Sequence, residues 1–138
     1  MLATFAFDVC HDVYRAAREA IETKIPTLNA EASGKYLWRP DRMPRLAEYV
    51  CDFEKAGERA LGRGECFRAG GRASRMTLFR MYYLGGAEYG LARRHLGISE
   101  ITWADWAEEI RRAVGRELTR AGVFPPSKYF RETTAKAS

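Results

Sequence analysis

The feature that most limits the fold of this chain is its hydrophobic spacing. Apolar residues return every three or four positions over long runs, the period of an α-helix buried along one side. In the first run Leu2, Phe5, Ala6, Val9, Val13, Ala16, Ala17, Ala20 and Ile21 fall on one stripe. This helix is expected to stop before Pro26, because the residue ahead of a proline avoids helical dihedrals. Residues 26–42, PTLNAEASGKYLWRPDR, read as a connector, with Tyr36, Leu37 and Trp38 anchoring it on the core. A second helix is expected from an Asp41 cap, with Pro44 in its first turn and Leu46, Tyr49, Val50, Phe53, Ala56, Ala60 and Leu61 inward. It ends at Gly62.

The stretch GRGECFRAGGRAS, 62–74, is rich in glycine and arginine and lacks the Lys-Ser/Thr of a phosphate cradle. A mobile connector is expected there, with a basic arm touching phosphate as the alternative. Ser74 can cap a third helix, RMTLFRMYYL, that ends at Gly85-Gly86. A fourth runs from about Ala87 to His95 and is broken by Gly97. Ser99 caps a fifth that reaches about Ala121, with Gly122 as its stop. VFPPSKYF is a proline-stiffened tail whose Tyr129 and Phe130 either fold back or dock a partner, and RETTAKAS is expected to be disordered. No strand-like alternation and no repeat is present. The expected class is all-α. An N-terminal helical segment (1–62) packs on or beside a C-terminal helix-turn-helix, trihelical unit (75–130). Residues 63–74 connect the two, and 131–138 trail as a tail.

Charge divides along the chain. Residues 1–62 hold nine Lys/Arg and ten Asp/Glu, whereas residues 63–138 hold fourteen and eight. The overall net charge is +5, and the basic excess lies in the half with the helix-turn-helix pattern. Such a surface suits a polyanion, nucleic acid first, or serves only for solubility. No basic leader precedes an apolar core at the start, and no apolar run approaches the ~18 residues of a membrane span. Cys10, Cys51 and Cys66 form no metal or redox spacing. A cytoplasmic, nucleoid-associated protein with reduced thiols, no cofactor and no metal is the expectation.

Enzymatic signatures are missing. There is no Ser-His-Asp set, no G-x-S-x-G and no H-E-x-x-H, and only two histidines are available for acid–base work. Adjacent Cys10 and His11 diverge by about 100° on a helix, so they do not share a metal. Asp8 and Asp12 share a face without a third ligand. His95 either caps the helix end or touches phosphate. No enzyme activity is expected.

The chemistry-bearing pattern is LARRHLGISEITWADWAEEIRRAVG, 91–115. Ala92 and Leu96 face inward, Gly97 takes a positive-φ turn, Ile98 plugs the gap and Ser99 caps the next helix. Trp103, Trp106, Ile110, Val114 and Leu118 form the inward stripe of that helix. Leu78, Phe79, Tyr82 and Tyr83 complete a trihelical core. Together with LFRMYYLGG, these residues give about 75–122 a pattern that resembles the helix-turn-helix of sigma-factor region 4 and of related phage and prophage transcription regulators. The resemblance implies sequence-specific binding of double-stranded DNA in transcriptional control. Base contacts are then expected from Ser99, Glu100, Thr102 and Asp105, and phosphate contacts from Arg75, Arg93, Arg94, Arg111 and Arg112. It also implies, as the alternative, the same scaffold contacting RNA polymerase or another regulator, with no membrane involved. A homodimer reading two half-sites is a further expectation.

Two departures stand out. A small residue is usual four positions before the turn glycine, and here that position is Arg93. The outward positions Glu100, Asp105 and Glu108 are acidic, and an acid is repelled by every nearby phosphate even where it can accept from cytosine.

Overall fold

Six helices and no strand make up the regular structure of the described residues, 2–23, 43–62 and 75–130 of the computed structural model. They are α1 (Leu2–Thr23), α2 (Met43–Leu61), α3 (Arg75–Leu78), α4 (Tyr89–Leu96), α5 (Glu100–Arg120) and α6 (Ser127–Phe130). α3 runs straight into a π-helical stretch, Phe79–Leu84. The all-α class expected from the periodicity is the observed one. The 26–42 connector, the Asp41 and Ser74 caps, Cys66, the 63–74 stretch and the 131–138 tail lie outside the described residues.

α1, α2 and α5 pack each against the other two and form a three-helix bundle. One continuous hydrophobic core runs from Phe7 and Tyr14 through Phe53 and Phe79 to Ile110, Leu118 and Phe130.

The buried face of α1 is rotated from the expected stripe. Ala6, Phe7, Cys10, Tyr14, Ala17 and Ala20 are buried, while Leu2 is 71% and Phe5 56% exposed. The shift follows from amphipathic side chains that a simple apolar count leaves out. Tyr14 buries its ring 4.6 Å from that of Phe53 and donates its hydroxyl to Glu54 Oε2 at 2.5 Å. That satisfies the polar tip that burial would otherwise strand. Cys10 packs as a small hydrophobe, and its carbonyl accepts the Tyr49 hydroxyl at 2.7 Å. On α2 the expected Leu46, Tyr49, Phe53 and Ala56 are all buried.

Two glycines set how closely the helices meet. A Cβ on Gly115 of α5 would collide with the backbone carbonyl of Ala3 on α1, and one on Gly57 of α2 would collide with the ring of Phe79. Phe79 is fully buried, a side chain whose removal from water stabilises by roughly 1.5–3 kcal/mol.

The π-helical stretch replaces the plain helix expected up to Gly85. The Gly85 amide reaches back five residues to the Arg80 carbonyl at 2.9 Å, and the wider turn frees carbonyls at its end. α1 supplies the missing donors. His11 Nε2 donates to the Tyr83 carbonyl at 2.8 Å and Arg18 Nη1 to that of Leu84 at 3.3 Å. Of the two adjacent tyrosines, Tyr83 is core and Tyr82 is half-buried against Trp103. The tail folds back on α2. The Tyr129 ring stands edge-on to Tyr49 at 5.0 Å, its hydroxyl donates to Asp52 Oδ2 at 2.6 Å, and Arg45 donates to its carbonyl at 2.8 Å.

Candidate recognition surface

The bend that the sequence places at Gly97 is present. Gly97 lies at φ 69°, ψ 33°, the left-handed region that glycine enters without steric cost. Its amide bonds to the carbonyls of Arg93 and Arg94 at 2.9 and 3.1 Å and closes α4. Ser99 is extended, and its hydroxyl accepts the Thr102 amide at 3.1 Å, capping α5 as expected. Ala92 and Leu96 are buried, and Ile98 packs half-buried on the core. α4 starts at Tyr89, two residues later than expected, because Glu88 is its cap and accepts the Leu91 amide at 3.0 Å. Glutamate is not among the preferred capping residues, so this start carries little signal.

Arg93, the departure from the small-residue pattern, braces the turn. Its Nη1 donates to the Ile98 carbonyl at 3.1 Å and its guanidinium lies 5.7 Å from the centre of the Tyr89 ring. Nε is buried without a partner. Arg93, expected at phosphate, here spans the joint between α4 and α5.

Beyond the turn, the first half of α5 buries Trp103 and Ile110 and leaves its opposite face open. Glu100, Ile101, Ala104, Asp105 and Glu108 are exposed, with Ile101 75% accessible. Ile101, Ala104, Asp105 and Glu108 are spaced to share one face of the helix. Of the four expected base-reading residues, Glu100 and Asp105 sit on this surface with no ion pair among the described residues. The hydroxyls of Ser99 and Thr102 bond to each other at 3.1 Å. Trp103 is buried and Trp106 only half-buried, its ring covered by the Arg75 guanidinium at 5.1 Å.

The expected phosphate-binding arginines are mostly engaged. Arg111 grips Asp8 of α1 through two bonds, at 3.0 and 2.8 Å, and the carboxylate raises its already high pKa. Arg112 pairs with Glu108 and Arg75 with Glu109. Arg80 lies 3.6 Å from Glu58. Among the described residues only Arg94 of the five nominated arginines is exposed and unpaired; exposed, unpaired His95 adjoins it. From Ser99 to Glu109 the sequence holds four acids and no Lys or Arg.

Sequence reasoning weighed His11 only as a metal partner for Cys10; it lines a cleft between α1 and the π-helical stretch. Its ring stacks on Phe7 at 5.5 Å and meets Tyr83 edge-on at 5.1 Å. Burial pushes its imidazole below the ordinary value, against the opposing pull of the Tyr83 carbonyl. Among the described residues no set of three His, Cys, Asp or Glu side chains is arranged to hold a metal ion. No described helix is long and apolar enough to cross a membrane. No family model matches the chain, and neither a curated protein nor a solved structure does.

Proposed function

We propose that α4, the Gly97 bend and the outward half of α5 form a helix-turn-helix used for protein contact, engaging a segment that offers basic side chains around an apolar anchor. The observation that carries this reading is the exposed stripe of Ile101, Ala104, Asp105 and Glu108, an apolar side chain followed by carboxylates with no unpaired cation among them. A partner that buries Ile101 gains apolar area, and its basic groups meet Asp105 and Glu100, which hold no ion pair among the described residues, whereas Glu108 is already paired with Arg112. A duplex brings the opposite charge pattern. Each phosphate near this stripe is repelled, and of the arginines that could offset the acids Arg75, Arg111 and Arg112 already hold acids of their own, which leaves Arg94, among the described residues, as the exposed, unpaired one of the five. The resemblance to sigma region 4 implies both uses of the scaffold, and charge favours the protein one.

DNA binding in transcriptional control is the second reading. Arg94 beside a preformed bend, with the hydroxyls of Ser99 and Thr102 at the helix start, favours it, as does the basic excess of residues 63–138.

The test is selection of short displayed peptides on the wild-type chain and, in parallel, on an Ile101→Asp, Asp105→Lys variant. Enrichment of basic peptides with an apolar anchor on the wild type alone supports protein contact. Peptides that bind both chains equally, or no enrichment on either, overturn it.

A further inference from the structure

We propose that the cleft between α1 and the π-helical stretch is a binding site for a small organic cation, an amine or guanidinium carried on an apolar stem. The cleft has a volume of about 640 Å³, within the roughly 300–1,000 Å³ of small-molecule pockets. Its charged lining is Asp8, Asp12 and Arg15 from α1, Glu88 from the cap of α4, and Arg111 from α5. Asp8 and Arg111 neutralise each other through their two hydrogen bonds. Glu88 gives one oxygen to the Leu91 amide and has no cationic partner among the described residues. Asp12 has no partner among the described residues, and neither does Arg15. Two carboxylates, Asp12 and Glu88, therefore face one opposing cation.

The rest of the lining suits the same ligand. His11 donates Nε2–H to the Tyr83 carbonyl, which leaves Nδ1 as an acceptor on a neutral ring. Tyr82 and Tyr89 line the cleft as well, and aromatic faces attract cations while accepting an apolar stem. Gly86 lies at φ 75° with open space where a side chain would stand, so the mouth is unobstructed on that side. An anion would meet the surplus of carboxylates without a free cation beyond Arg15.

The cleft adjoins the recognition unit. Tyr82 and Tyr89 both stand edge-on to Trp103, each with ring centres 5.0 Å apart, and Trp103 is the buried residue in the first turn of α5. A ligand seated against these rings bears on the joint that sets the direction of α5. The site stands whether the partner of α5 is a protein or a duplex.

The experiment is titration of the whole chain with n-butylguanidinium followed by NMR, with n-pentanoate as the control of like length and opposite charge. Saturable shifts at Tyr82, Tyr89 and Glu88, tighter than about 10 mM, are expected for the cation alone. Asp12→Asn with Glu88→Gln keeps the capping oxygen and is expected to weaken binding about tenfold. Arg15→Gln removes the opposing cation and is expected to tighten it. No saturation, equal binding of pentanoate, or an affinity indifferent to both variants overturns the proposal.

Discussion

Arg111 of α5 and Asp8 of α1 are joined by two parallel hydrogen bonds, at 3.0 and 2.8 Å, across the bundle surface. The pair ties α5 to the N-terminal helix and occupies a cation that a duplex would need. Both side chains are partly exposed, 31% and 53%, so water and salt screen the attraction. A double-mutant cycle of Asp8→Ala and Arg111→Ala, read by urea unfolding, is expected to give a coupling of about 0.5 kcal/mol that shrinks in high salt.

The close approach of α1 to α5 depends on Gly115. Gly115→Ala sets a methyl group against the Ala3 carbonyl, which is backbone and cannot swing aside. Gly57→Ala instead displaces the Phe79 ring within the core. Overpacking of this kind costs about 1–3 kcal/mol. Urea midpoints are expected to fall for both, and further for Gly115→Ala.

The helical class, the Gly97 bend, the Ser99 cap and the inward set of α5 from Trp103 to Leu118 were legible because each rests on local chemistry. Periodicity, a positive φ and a capping hydroxyl need no knowledge of distant residues. The rotation of α1 was not legible, since Tyr14 becomes core only when Phe53 and Glu54 arrive from α2. The π-helical stretch depends on His11 and Arg18, more than sixty positions away in the chain. The partners of Arg75, Arg111 and Arg112 likewise follow from packing, so an arginine count overstated the free positive charge. The cleft at His11 needs three elements to meet, and no single stretch announces it.

The turn itself makes a prediction. Gly97→Ala forces a side chain into the left-handed region and is expected to cost about 1 kcal/mol. Arg93→Met keeps the apolar stem and loses the bond to the Ile98 carbonyl. Amide hydrogen exchange at Gly97, Ile98 and Thr102 is expected to quicken in Arg93→Met while exchange in α1 and α2 stays unchanged. Equal acceleration throughout the chain would contradict a local bracing role.

Two groups give the fold an acid limit. Burial depresses the His11 pKa below its ordinary 6.5. As pH falls below 6.5 the unfolded chain takes up a proton that folded His11 resists, and stability declines. Glu117 is held at about 2, first by its hydrogen bond from Arg120 and then by that from Arg59. Its contribution is complete above the ordinary 4.5 and is lost as pH falls from there toward 2. Urea midpoints measured stepwise from neutral to acid are expected to fall in these two windows. His11→Asn flattens the first and Glu117→Gln the second.

The outward face of α5 is the centre of the account, and fluorescence anisotropy of a labelled random duplex tests it most directly. The titrations compare the wild type with a Glu100→Gln, Asp105→Asn, Glu108→Gln variant at about 50 and 200 mM salt. The account predicts wild-type binding no tighter than the non-specific range, about 10⁻⁴–10⁻⁶ M at physiological salt, and tighter binding once the three acids are neutralised. Wild-type affinity in the nanomolar range that the same substitutions weaken would contradict it, since those acids would then be reading bases.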